Sequence, residues 1–356
     1  MTAPFGGRTG RTMGIRGLER GRQMRGRGRT GSGRVGRSFS RPAVLLGAGL
    51  ALVLGGCSSG PAAVGAAPAA PPVQVGAVVT GTPAPAATGS GGCNPEASSQ
   101  APTTGDFDGP TLQRIKARGR LIVGVSDDGD LTGFLDPTTH QEEGFDVDVA
   151  DQVAQAIFGD RPGTIQYVAV TNPERITDIL NGTIDITVDT MTINCQRLQQ
   201  VAFSSVYFEA EQQLLVLKSS GITSMAQLKG QKVCAANGST SIATIQADPN
   251  HPIAYGVTDF SDCLVALQQN EVVGASTDNT ILAGLAKQDP NTEVVGQSLE
   301  QEPYGIAMSK NSPDLERFVN GVLEQMRSNG TWENIYDKWF GGVLAPTDPP
   351  PAQYAN

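Results

Sequence analysis

Residues 121–126 read LIVGVS. An apolar run with no polar alternation fits a strand covered on both faces, and such strands belong to sheets flanked by helices. The chain after it keeps that pattern. Residues 144–158, GFDVDVADQVAQAIF, place Phe145, Val149, Val153 and Ile157 on one helical face. Asp146 and Asp148 fall in the first turn, where acids oppose the positive end of the helix dipole. A strand at 164–170 follows, then a helix at 172–182 with Asn172 as cap, Pro173 at its first position and Gly182 past its end. Residues 184–189 form a third strand. A second set has strands at 213–218, 232–236, 256–260 and 272–277, with helices from Ser239, over 262–270 and from Asn279. YGIAMS (304–309) precedes two helices, 312–328 and 331–339. Two sets of strand–helix units imply an α/β protein of two lobes, without a repeat strong enough to mark a duplication.

The N-terminal third has a different composition. Residues 1–41 hold eleven arginines, no lysine and one acid, Glu19. Residues 42–54, PAVLLGAGLALVL, are apolar, too short to span a bilayer and the right size for a signal-peptide core. LGGC (54–57) resembles a bacterial lipoprotein processing site, which implies cleavage before Cys57 and its lipidation; the alternative is an ordinary secretory signal with a chance cysteine. The long basic region leaves Met13 and Met24 as alternative starts.

Loss of residues 1–56 takes away eleven arginines and one acid, so the net charge moves from −9 to −19. Binding to nucleic acid rests on neutralising phosphates with Lys and Arg, so this balance argues against it. Residues 58 to about 105 are rich in Pro, Ala, Gly, Ser and Thr and read as a disordered tether of roughly 35–40 Å. The expected organisation is a signal peptide (1–56), a lipid-anchored tether (57–105), lobe 1 (106–208 and 305–345), lobe 2 (209–304) and a C-terminal tail (346–356).

Five cysteines are present, and in an oxidising compartment four remain for two disulfides once Cys57 carries lipid. Three connectivities are open. Cys234–Cys263 is favoured because both fall in one strand–helix unit, which leaves Cys93–Cys195. A nucleophilic Cys195 needs a nearby base, and the only histidines, His140 and His251, sit in loops without a signature.

GFDVDVADQVAQAI (144–157) resembles the signature of family 3 bacterial extracellular solute-binding proteins, the polar amino acid receptors of ABC importers. LNGTIDITVDTMTINCQRLQQVAFSSVYF (180–208), Gly238-Ser239-Thr240, Asp278 and NGTWENIYDKWFG (329–341) resemble further family blocks in the same order, over about 110–341. The TMTI-x-C-x-R and CAA-x-GSTS strings resemble actinobacterial glutamate/glutamine-type receptors most. The resemblance implies the type II periplasmic-binding-protein fold, two α/β lobes joined by two crossing strands with ligand in the cleft between them. Such a cleft closes by hinge motion.

The resemblance also implies a site, and the chemistry of an amino acid fits it. Each ligand charge buried in a cleft must be paired, or burial costs several kcal/mol. Arg197 is the expected carboxylate ligand, since a guanidinium matches a carboxylate bidentately. Thr192 is expected to contact both carboxylate and ammonium. Ser239 and Thr240 lie at a helix N-terminus, where they serve as anion site, as cap, or both. Asp278 is expected to pair with the ammonium, and is otherwise a cap. Asp127, Phe145, Asp189, Thr190 and Met191 are expected around the ligand, with a core role the competitor for Phe145.

SDDGDLTGFLDP (126–137) and Asp189 together suggest a carboxylate-lined side-chain pocket without a base. Like charges near 4 Å cost about 1–4 kcal/mol at effective dielectrics of 80 to 20, enough to disfavour glutamate. The expected order is therefore glutamine or asparagine, then arginine-type, then glutamate. The expected protein is a monomeric, non-enzymatic receptor with no cofactor and no metal, held outside the cell membrane by lipid on Cys57. Its expected partner is an ABC-transporter permease, with a signalling membrane sensor as the alternative and a dehydratase-like enzyme less favoured.

Overall fold

The computed structural model describes residues 93–103 and 108–355. The leader, Cys57 and most of the expected tether lie outside the described residues.

Lobe 1 opens with α1 (Pro110–Arg118), begun by proline and ended at Gly119 with φ 82°. Asp314 caps this helix from a distance of two hundred residues, accepting the amides of Thr111 and Leu112 at 2.7 and 3.1 Å. Then come β1 (Leu121–Val125), a small antiparallel ladder of β2 (Asp128–Gly129), β3 (Gly133–Leu135) and β4 (Glu142–Glu143), α2 (Phe145–Phe158), β5 (Ile165–Ala169), α3 (Glu174–Asn181), β6 (Ile186–Thr187) and β7 (Ala202–Phe203). Lobe 2 holds β8 (Phe208–Leu217), β9 (Lys232–Ala236), α4 (Thr240–Ala247), β10 (Ile253–Val257), α5 (Phe260–Gln268), β11 (Gly274–Asp278), α6 (Asn279–Gln288) and β12 (Thr292–Tyr304). The chain returns to lobe 1 through β13 (Ala307–Met308), α7 (Pro313–Asn329) and α8 (Thr331–Phe340).

Each lobe has a five-stranded sheet, in the orders β5-β1-β6-β13-β7 and β10-β9-β11-β8-β12. β1 runs parallel to β5 and β6, and β9 runs parallel to β10 and β11. Leu121, Val123 and Val125 of β1 are fully buried, as the apolar run requires. The chain crosses between lobes twice, and the crossings pair with each other: Tyr304 opposite Phe208 and Glu300 opposite Gln212. That antiparallel ribbon joins the two lobes.

The expected face of α2 is buried. Phe145 packs among Tyr207, Phe208, Trp332 and Phe340, with ring centroids 5.2–6.4 Å apart. It is 2% exposed, and burying such a side chain stabilises the fold by about 1.5–3 kcal/mol. The preceding Gly144 is obligatory: its φ is 146°, and a Cβ there would lie 2.2 Å from the Thr132 carbonyl oxygen.

Three features depart from the sequence reading. Residues 93–103, expected within the tether, lie folded against α7: Glu316 accepts from the Ser99 hydroxyl and the Gln100 amide, and Asn320 Nδ2 donates to the Gln100 carbonyl. The C-terminal tail joins that strap, with the Ala355 amide donating to the Ser99 carbonyl at 2.7 Å. Residues 256–260 are not one strand, since β10 stops at Val257 and Phe260 opens α5. The long β12 had no sequence signal. Both favoured disulfides are present, Cys234–Cys263 within lobe 2 and Cys93–Cys195 from the strap to the loop after β6.

Candidate functional site

The loop after β6 is shaped by a buried acid. Thr190 has φ 44°, unusual for a non-glycine residue. Its amide donates to Asp146 Oδ2 at 2.7 Å, and the Tyr207 hydroxyl donates to Asp146 Oδ1 at 2.8 Å. The first acid of GFDVD is therefore a clamp on this loop rather than only a partner of the helix dipole. Burial pushes Asp146 up to about 7 against these hydrogen bonds. Further along, Ile193 donates to the Pro303 carbonyl and Gly305 to the Met191 carbonyl, tying the loop to the crossing strand.

Two adjoining chambers, a smaller and a larger, lie between the lobes, sharing Asn172, Thr190, Phe260 and Ile281 in their walls. The smaller is also lined by Arg175, Thr192, Arg197, Ser239, Thr240 and Asp278. The larger is also lined by Ser126, Asp128, Thr132, Asp189 and Asp259. Among the expected site residues, Asp189, Thr190, Thr192, Arg197, Ser239, Thr240 and Asp278 thus converge on the cavity.

The others do not. Asp127 is exposed at the surface and its neighbour Asp128 faces the chamber. Phe145 belongs to the aromatic core of lobe 1, and Met191 is buried with Ile179, Val201 and Phe203. Thr190 and Thr192 face the cleft while Met191 between them turns into the core.

Arg197 is 8% exposed, and its Nη1 donates to the Thr192 carbonyl at 2.7 Å. Burial, and then the neighbouring Arg175, lower its pKa to about 9. Ser239 is fully engaged as the cap of α4: its hydroxyl donates to Ala236 and accepts from the Ile242 amide. Asp278 Oδ2 accepts from the Tyr304 hydroxyl at 2.6 Å, while Oδ1 is buried without a hydrogen-bond partner among the described residues. Burial pushes Asp278 up to about 6, opposed by Tyr304 and Arg197.

Arg175, near the start of α3, is the principal residue the sequence reading missed. It is 2% exposed, its Nη1 donates to the Asp189 backbone carbonyl at 2.7 Å, and it lies 3.5 Å from Asp189 Oδ2. The expected pocket of carboxylates without a base is corrected accordingly: one of those carboxylates is paired with a buried guanidinium. Burial still pushes Asp189 up to about 7, against the pull of Arg175. The PER string at 173–175 carried no more than a helix start, so only the docked structure reveals the pair.

The lobes meet across the cleft rim. Asp128 Oδ2 accepts the Ser261 amide at 2.9 Å, and Lys287 pairs with Asp130 at 3.1 Å. Two of the three aspartates in SDDGD therefore serve interlobe contacts. Gly284 on α6 lies so close to the Asp130 carbonyl oxygen that a Cβ would fall 2.1 Å from it. Arg197 Nη2 reaches the Gly238 carbonyl at 3.4 Å from the other lobe. This is a closed arrangement. Among the described residues no group of His, Cys, Asp and Glu suits a metal ion, and no helix is long and apolar enough to cross a membrane.

A two-lobed α/β protein with a polar interlobe cavity is the architecture of a solute receptor. Residues 121–342 match the bacterial extracellular solute-binding proteins, family 3, and the chain belongs to that family. It is 39% identical over 256 residues to the ABC transporter glutamine-binding protein GlnH of Bacillus subtilis, covering 72% of this chain and 91% of that one. It is 40% identical over 230 residues to a glutamine-binding protein of Geobacillus stearothermophilus, covering 62% and 86%. Among solved structures, an ancestral arginine-binding protein bound to glutamine superposes with a TM-score of 0.59 at 33% identity, covering 63% of this chain and 99% of that one. Family membership makes the chain an extracytoplasmic transport receptor.

Proposed function

We propose that the cleft captures a free polar L-amino acid, with glutamine or asparagine preferred over arginine-type ligands and glutamate, and hands it to the permease of an ABC importer. The observation that carries the ligand choice is the Arg175–Asp189 pair in the cavity wall. A guanidinium only donates and a carboxylate only accepts. A side-chain amide both accepts and donates, so it satisfies both members of the pair without adding net charge. A glutamate side chain would face Asp189, and an arginine side chain would face Arg175.

The α-carboxylate would lie against Arg197 and the N-terminus of α4, and the ammonium against Asp278 and Thr192. The names of the relatives with 39 and 40% identity support glutamine. The protein acts as a binder rather than an enzyme, because the ionisable groups of the cavity suit the holding of ligand charges and the Cys93–Cys195 disulfide consumes the candidate thiol. We further propose that lipid on Cys57 holds the receptor at the outer face of the membrane and that it works as a monomer. Calorimetric titration with an amino-acid panel tests the ligand order: tight binding of glutamate with no response to glutamine contradicts it.

A further inference from the structure

Glu302 lies on β12 where the second crossing strand returns to lobe 1, and it is fully buried. Its Oε2 accepts the hydroxyl of Thr192, from the lobe 1 loop. The same oxygen accepts the hydroxyl of Thr240 at 2.9 Å, from the first residue of α4 in lobe 2. The two hydroxyl oxygens are 3.4 Å apart. Both threonines line the smaller chamber, and Glu302 stands behind them.

A hydroxyl has one proton and two lone pairs. With both protons committed to Glu302, the two threonines offer lone pairs to the cavity. Asp278 Oδ1, also buried and without a partner among the described residues, offers a third acceptor on the same chamber. An ammonium group has three N–H donors. We infer that Glu302 is a positioning residue: it fixes the polarity of Thr192 and Thr240 so that, with Asp278, they form a three-acceptor seat for the ligand ammonium. Because the two threonines come from opposite lobes, the seat is complete only when the cleft closes. This inference rests on the reading of the cavity as an amino-acid site.

The test titrates the full chain with L-glutamine and L-glutamate and with the α-hydroxy counterpart of each. Glu302→Leu frees both hydroxyls to rotate and is expected to weaken the amino acid that binds by about 10–100-fold, the range for hydrogen bonds to a charged group. It should also shrink the preference for the amino over the α-hydroxy compound. Glu302→Gln keeps an acceptor oxygen and should restore most of both. Thr240→Val, which removes one acceptor and leaves Glu302 in place, should cost about tenfold and serves if the leucine variant does not fold. Wild-type affinity and discrimination in Glu302→Leu, or in Thr240→Val, overturn the inference. Arg197→Ala runs alongside: lost binding there with unaffected Glu302 and Thr240 variants overturns this inference alone, and unaltered binding there overturns the site assignment with it.

Discussion

Replacing Asp189 by Asn should move the receptor toward glutamate. Asp189 and Arg175 are 3.5 Å apart, with side chains 7% and 2% exposed. Asn keeps the shape and the acceptor oxygen but removes one negative charge beside the ligand side chain. Glutamine is neutral there and glutamate carries −1, so the difference between them changes by one unit-charge interaction at about 4 Å. That interaction is worth about 1 kcal/mol at an effective dielectric of 80 and about 4 kcal/mol at 20. At 1.4 kcal/mol per tenfold, the glutamine-to-glutamate affinity ratio should fall by about 5- to 700-fold. The titrations belong at pH 8, above the value of about 7 to which burial pushes Asp189, so that the wild-type carboxylate is ionised. A folded Asp189→Asn protein whose ratio stays within about twofold of wild type would refute the role given to this pair.

Other consequences follow from the same contacts. Gly284→Ala should strengthen lobe 2 alone by about 0.5–1 kcal/mol through helix propensity, yet weaken ligand binding because its Cβ would meet the Asp130 carbonyl across the cleft; unaltered affinity by calorimetry counts against the closed arrangement. Breaking Cys93–Cys195, whose partners are 102 residues apart, should lower stability in urea by up to about 4.7 kcal/mol in the chain-entropy account and loosen ligand binding. Breaking Cys234–Cys263, 29 residues apart, should cost about 3.5 kcal/mol by the same account and spare affinity; equal losses of affinity would show that the strap does not steady the loop. Burial pushes Asp146 and Asp189 up to about 7, Asp278 to about 6 and Glu302 to about 8. Between their unfolded values near 4 and these values the folded chain holds more protons than the unfolded chain, so stability falls as pH rises through that window. Urea unfolding of the ligand-free protein should therefore show greater stability at pH 5 than at pH 8, and the reverse order contradicts the assignment.

Much of the architecture was legible because burial leaves marks in composition. β1 is buried on both faces and reads as unbroken apolar sequence, and α2 repeats its apolar residues every fourth position. The loop from Asp189 to Arg197 was legible as a unit, since polar residues directly after a core strand need somewhere to go. Phe145 misled because one aromatic at a helix start satisfies both a cleft wall and a core, and only the rings of Trp332 and Phe340 decide between them. Asp127 and Asp128 are adjacent and chemically identical, so nothing but the backbone direction tells which one enters the chamber. Arg175 and Glu302 were hidden because their burial comes from the other parts of the molecule docking onto α3 and β12. β12 itself is mostly exposed, carries Gly296 at φ 83° and shifts register between Val295 and Glu300, which erases the alternation that would betray a strand.

The most direct measurement is isothermal titration of the purified receptor at pH 8 with L-glutamine, L-asparagine, L-arginine, L-glutamate and a nonpolar control. The Arg175–Asp189 pair set in a closed cleft with Arg197 and Asp278 calls for saturable one-to-one binding, tightest for glutamine or asparagine. Tight binding of glutamate with no heat from glutamine or asparagine would contradict it.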